Sequence, residues 1–244
     1  MIHLPHNLIA VAYKGGYFGS FINLLLQLSP EVVSTVIPSK LQDTDNFTFN
    51  DGTAHAYKSD WFKDLHKYTD TVTEDTWSNK LTPKYKDLDL KSTDTITLRC
   101  HPNLAYSMNF IDPFKIIYVG HSTPYYGDRA YFKKMIKPNM DSFIRDAFYQ
   151  IFKSKPDQSP SNKMSPRLMR ELLLRHINHQ VKSIQEIQEQ FEKNVFYLDA
   201  KCILNKDYPL YKSMCLWANL TTISEDTFYT IIDNYRSKQS WTVR

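Results

Sequence analysis

Apolar residues along this chain fall into short unbroken runs separated by stretches that repeat at a helical period. The run NLIAVAY at 7–13 has the pattern of a strand buried on both faces, and SFINLLLQL at 20–28 reads as a helix that Pro30 and Glu31 end or redirect. DTITLRC at 94–100, rich in β-branched residues, predicts a second strand, and FKIIYVG at 114–120 predicts a third. VFYLDAKCIL at 195–204 predicts a fourth strand with its exit. Helical patterns lie at 129–137, at 141–153 and over 166–194, where Leu168, Leu172, Ile177, Val181, Ile184, Ile187 and Phe191 keep the period of one amphipathic face. ISEDTFYTIIDNYRSK offers Ser224 as an N-cap, with acids in the first turn, and predicts a C-terminal helix. Alternating strands and helices imply a single α/β domain with a mainly parallel central sheet flanked by helices.

Two stretches stand apart from this alternation. Residues 38–91 are polar and weakly periodic and read as helical pieces and loops, a variable insertion or lid. Residues 154–166 are rich in Ser and Pro and predict an exposed loop.

Composition narrows the function classes. The 244 residues are 42% hydrophobic, enough for one sizeable core, and 14% aromatic, so the core should be aromatic-rich. The net charge of +4 comes from scattered Lys and Arg with no basic block, which argues against nucleic acid as a partner. No apolar run approaches the length of a membrane span and no signal-like segment opens the chain, so a cytoplasmic protein without a membrane partner is expected, in the host cytoplasm or the virion if the source is a virus. Cys100, Cys202 and Cys215 form no disulfide framework and read as ordinary buried thiols. The aromatic content leaves a homo-oligomer or a protein assembly open.

Five of the six glycines sit in two places: Gly15, Gly16 and Gly19 after the first predicted strand, Gly120 and Gly127 after the third. Ligands of open parallel sheets bind beyond the carboxyl ends of strands, where loops meet helix N-termini. At the first turn, backbone N–H groups, the helix start near Ser20, the Ser20 hydroxyl and the Lys14 ammonium suit a phosphate, although a tight strand-to-helix turn also accounts for the glycines. No Lys precedes Ser20, so the pattern is not that of the common nucleotide triphosphatase loop. RCHPN at 99–103 adds His101 as a candidate base and Arg99 as an anion contact. His176 and His179 lack a completing ligand set, and no metal is assigned.

The order of these features resembles the sulfotransferase family, whose members transfer a sulfuryl group from 3′-phosphoadenosine 5′-phosphosulfate. AYKGGYFGSFINLL is similar to that family's phosphosulfate loop, ITLRCHPNLA to the strand that carries its catalytic His, and FKIIYVGHSTPYYGDRAYF to its 3′-phosphate strand and turn. VFYLDAKCIL and the C-terminal helix complete the order. The resemblance implies a nucleoside-triphosphatase-like α/β fold and a metal-free transfer to a hydroxyl or amine acceptor. In it, Lys14 and His101 are catalytic, and the donor is held by Lys14, Gly15, Gly16, Gly19 and Ser20. Gly120 and His121 stand where the family has an Arg, and His121, Ser122 and Arg129 are the groups left to the 3′-phosphate. The alternative is a non-catalytic protein that keeps this scaffold for a structural or partner-binding role. A kinase of the phosphate-loop class ranks behind both.

Overall fold

The computed structural model describes residues 1–13, 19–34, 62, 65, 71–83, 85–120, 189, 194–199, 202–203 and 205–238. The helices predicted at 129–137, 141–153 and 166–194 (Glu189 apart), the loop at 154–166 and most of 38–70 lie outside these residues. The chain divides into two compact units, one of Met1–Lys14, Phe18–Gly120 and Asn194–Arg244, the other of Gly15–Tyr17 and His121–Lys193. The structural description below concerns the first.

Four strands, β1 (Ile2–Tyr13), β2 (Thr95–Cys100), β3 (Ile111–Gly120) and β4 (Val195–Asp199), form one sheet in the order β2-β1-β3-β4, and every pairing is parallel. The fold is therefore α/β with an all-parallel sheet. Asn7 to Ala12 of β1 pair in register with Thr95 to Cys100 of β2, and Leu8 to Tyr13 pair with Phe114 to Val119 of β3. With partners on both edges, β1 is central. Its residues Leu8 to Ala12 are buried completely or nearly so, as the unbroken apolar run requires.

β1 begins at Ile2, five residues before the apolar run. The extra length pairs Ile2 and His3 with Ile111 and Asp112, and the register then shifts before Leu8. Pro113 lies in that shifted stretch, where it has no N–H to give a ladder.

Helix α1 (Gly19–Leu26) follows β1; Phe21 to Leu26 are all buried. Helix α2 (Glu74–Lys80) is capped by Thr73, whose hydroxyl accepts from the Thr76 N–H at 3.2 Å, and buries Trp77. The short α3 (Pro102–Ser107) continues directly from β2, with Pro102 at its first position, where the missing N–H costs nothing. Helices α4 (Tyr208–Ala218) and α5 (Glu225–Lys238) close the unit. Ser224 caps α5 as expected, its Oγ accepting from the Thr227 N–H at 3.2 Å.

Stacked aromatic rings join these helices to one another, and a lysine joins α4 to the sheet. Phe21 of α1 lies on Tyr235 of α5 at 3.8 Å, and Tyr211 of α4 on Phe228 of α5 at 4.9 Å. Lys115 of β3 donates to the Trp217 carbonyl at 2.8 Å and lies 5.3 Å from that indole's centre. One carboxylate ties the exit of α1 to the link between α4 and α5. Glu31 accepts from the Ser29 hydroxyl at 2.6 Å, from the Thr221 N–H at 3.0 Å and from the Thr221 hydroxyl.

Candidate functional site at the carboxyl edge of the sheet

In the order β2-β1-β3-β4 the chain leaves β1 toward one side of the sheet and later takes up β3 on the other. Such a reversal opens a crevice beyond the carboxyl ends of the two strands. The described strands end there at Tyr13, Cys100, Gly120 and Asp199, and α1 starts beside them.

Ser20, in the first turn of α1, is the junction of a polar chain. Its Oγ accepts from Arg99 Nη1 at 3.0 Å and shares a hydrogen bond with the Tyr13 hydroxyl at 2.9 Å. Strand alternation explains how Arg99 arrives: Thr95, Thr97 and Arg99 share one face of β2, and α1 packs against this strand. A permanently charged guanidinium is thereby fixed at the positive end of a helix. Both features favour an anion.

Gly19 has a packing reason as well as any ligand role. A Cβ at this position would lie 1.8 Å from Cδ1 and 2.1 Å from Cγ of Tyr13, so the Tyr13 ring occupies the space a side chain would need. Gly120 is confined similarly, a Cβ there standing 3.0 Å from both Tyr118 Cε1 and Tyr197 Cε2. These two tyrosines are a cross-strand pair with rings 22° from parallel.

His101 is exposed where β2 turns into α3. It is the N-cap residue of α3, through its backbone carbonyl, which accepts from the Ala105 N–H at 3.1 Å, and its imidazole makes no capping bond. The neighbouring Cys100 thiol is pushed well above its ordinary range by burial, with the Ala105 backbone N–H opposing, and Cys215 is pushed up to about 11, burial again leading. Neither is a thiolate at neutral pH; Cys215 is buried as expected, whereas Cys100 and Cys202 are only half-buried.

Of the residues read from the sequence as site candidates, the structure joins Ser20 to Arg99 and places Gly19 beside them, with His101 two residues beyond Arg99. Lys14, Gly15, Gly16, His121, Ser122 and Arg129 lie outside the described residues. Two residues at this edge escaped the sequence reading. Tyr13 was counted only as the end of an apolar run. Asp199 was counted only as part of a strand, yet it is buried opposite Gly120. Its signal was an acid at the last position of an otherwise apolar strand. Among the described residues no three His, Cys, Asp or Glu side chains cluster as metal ligands, and no helix is long and apolar enough to cross a membrane.

No family model, no curated protein and no solved structure matches this chain.

Proposed function

We propose that the protein binds 3′-phosphoadenosine 5′-phosphosulfate at the carboxyl edge of its sheet and transfers the sulfuryl group to a hydroxyl or amine acceptor. The observation that carries this reading is the Arg99 guanidinium held on Ser20 at the start of α1, at the carboxyl edge of the sheet. In the proposed reaction an acceptor oxygen attacks sulfur while His101 takes its proton. The bond from sulfur to the bridging phosphate oxygen breaks, and 3′-phosphoadenosine 5′-phosphate leaves with the electron pair. Lys14 and the N–H groups of the 14–19 loop stabilise the charge that gathers on that oxygen. His121, Ser122 and Arg129 are assigned to the 3′-phosphate.

Calorimetry with 3′-phosphoadenosine 5′-phosphate tests the binding half. Micromolar affinity that falls at least about tenfold in Arg99→Ala and in Lys14→Ala supports it, about 1.4 kcal/mol for each such factor. Donor-dependent sulfation lost in His101→Ala supports the chemical half. Wild-type protein that neither binds nor turns over the donor would sink both.

A second reading, a non-catalytic scaffold for protein assembly, is favoured by one observation. The Tyr13 ring explains Gly19, and Tyr13 and Arg99 together occupy the Ser20 hydroxyl, so packing alone accounts for both residues. Absence of nucleotide binding by the folded wild-type protein would select this reading.

A further inference from the structure

A second buried cluster covers the amino half of β1 and takes no part in the functional reading above. His6 is 2% exposed, and its imidazole has one hydrogen-bond partner among the described residues. Its Nε2 lies 3.2 Å from the Tyr85 hydroxyl, and the two rings meet edge to face at 4.9 Å and 84°. Tyr85 meets Phe62 edge to face at 5.5 Å, Phe62 meets Trp77 of α2 at 4.7 Å, and Phe62 pairs with Pro83 through one β-bridge. The imidazole of His6 is thus the buried polar contact between this aromatic layer and the first strand, alongside the exposed bond from the Met1 amine to Glu74 of α2.

The other ring nitrogen, Nδ1, is buried and has no hydrogen-bond partner among the described residues. A neutral ring tolerates this, because Nε2–H can donate to Tyr85 and leave Nδ1 a bare lone pair. The imidazolium carries N–H on both nitrogens, and one donor would then be buried without an acceptor.

Among the described residues, the ionisable groups around it do not supply that acceptor. Asp94, just ahead of β2, draws a proton toward His6 through space, but its Oδ2 accepts from the Lys91 N–H at 2.7 Å. On β3, Asp112 faces the exposed His3 at 3.2 Å and Lys115 is committed to the Trp217 carbonyl. On α2, Glu74 holds the N-terminal amine at 3.0 Å.

We propose that His6 is an acid-sensitive latch, whose protonation releases the Phe62–Trp77–Tyr85 layer from β1 while the parallel sheet stays folded. Burial lowers the proton affinity of His6 and Asp94 only partly offsets it. The released form binds its proton near the ordinary value of 6.5 and the latched form below it, so the latch holds above that pH and loosens as pH falls through it. One pH unit below 6.5, the equilibrium for release should have risen, with about tenfold as the ceiling.

Hydrogen exchange read by mass spectrometry on the full chain at pH 7.5 and 5.5 tests this, with labelling times scaled to the intrinsic rate at each pH. Peptides covering 72–88 should open more often at the lower pH, by up to about tenfold, while those covering 8–12 and 114–119 keep their protection. His6→Phe keeps an aromatic ring against Tyr85 and should abolish the pH response. A second measurement, an NMR titration of the wild-type imidazoles, should find His6 protonating below 6.5, whether or not that variant folds. The latch is overturned if the 72–88 peptides show no pH response, if the response survives in His6→Phe, if the sheet peptides open together with them, or if His6 titrates at or above 6.5.

Discussion

Replacing Glu31 by glutamine removes a charge that Ser29 and Thr221 were placed to receive. Burial pushes the Glu31 carboxyl up, but the hydrogen bonds from the Ser29 hydroxyl, the Thr221 hydroxyl and the backbone N–H groups of Thr221 and Glu31 outweigh it and hold the group down at about 2. The fall from 4.5 to about 2 has a ceiling of about 3 kcal/mol. Solvent screens this half-buried carboxylate, so about 1 to 2 kcal/mol is expected at neutral pH. For a chain of this size that is a fall in melting temperature of about 3 to 6 °C. The sign with pH is set by the direction of the shift. A carboxyl whose native pKa is depressed stabilises fully above its unfolded value, and that stabilisation disappears as pH falls through the native value. Thermal melts followed by circular dichroism should therefore show the gap between wild type and Glu31→Gln constant at pH 7 and pH 6, shrinking between 4.5 and 2, and closed below. A gap that persists undiminished at pH 2, or no gap at pH 7, would refute the clamp.

Two further substitutions probe the packing around α1. Gly19→Ala drives a methyl into the Tyr13 ring and should cost about 1 to 3 kcal/mol; in the Tyr13→Ala background the same change should cost much less, so a denaturant double-mutant cycle that finds the two effects additive contradicts the close approach. Thr97 is fully buried and its hydroxyl has no partner among the described residues, so the isosteric Thr97→Val should raise stability by about 1 kcal/mol, and a lowered urea midpoint would show that the hydroxyl is bonded.

The strands were legible because burial on both faces leaves an unmistakable apolar run, as at Leu8 to Ala12 and Ile116 to Val119. The first five residues of β1 were not, because Ile2 to His6 alternate in exposure around Pro5 and carry no such run. Helix α4 was missed although its punctuation is present. Asp207 accepts from the Leu210 N–H at 2.9 Å, Pro209 stands in the first turn, and Asn219 ends the helix in the left-handed conformation. The short α3 has no periodic sequence signal, since six residues cannot display a helical period.

At the candidate site the sequence revealed residue types but not their partners. Arg99 was legible as an anion contact. Its bond to Ser20 depends on the register of β2 beside β1 and on α1 lying over that face, neither of which local pattern contains. Gly19 was read for its permissive backbone. What the structure adds is a neighbour, the ring of Tyr13 six residues earlier, that only the strand-to-helix reversal brings near.

The all-parallel pairing of β1 also governs how the chain can assemble. Asn7 meets Thr95, Leu8 meets Phe114 and Ile116 meets Val195, so each join closes a span of about 80 to 110 residues and none is a hairpin. Of the four strands, β1 is made before the other three and ends with a partner on each side. It must therefore wait, apolar and unpaired, through the synthesis of roughly a hundred residues before either flank exists, which makes nascent chains the stage at which aggregation and chaperone capture compete with folding.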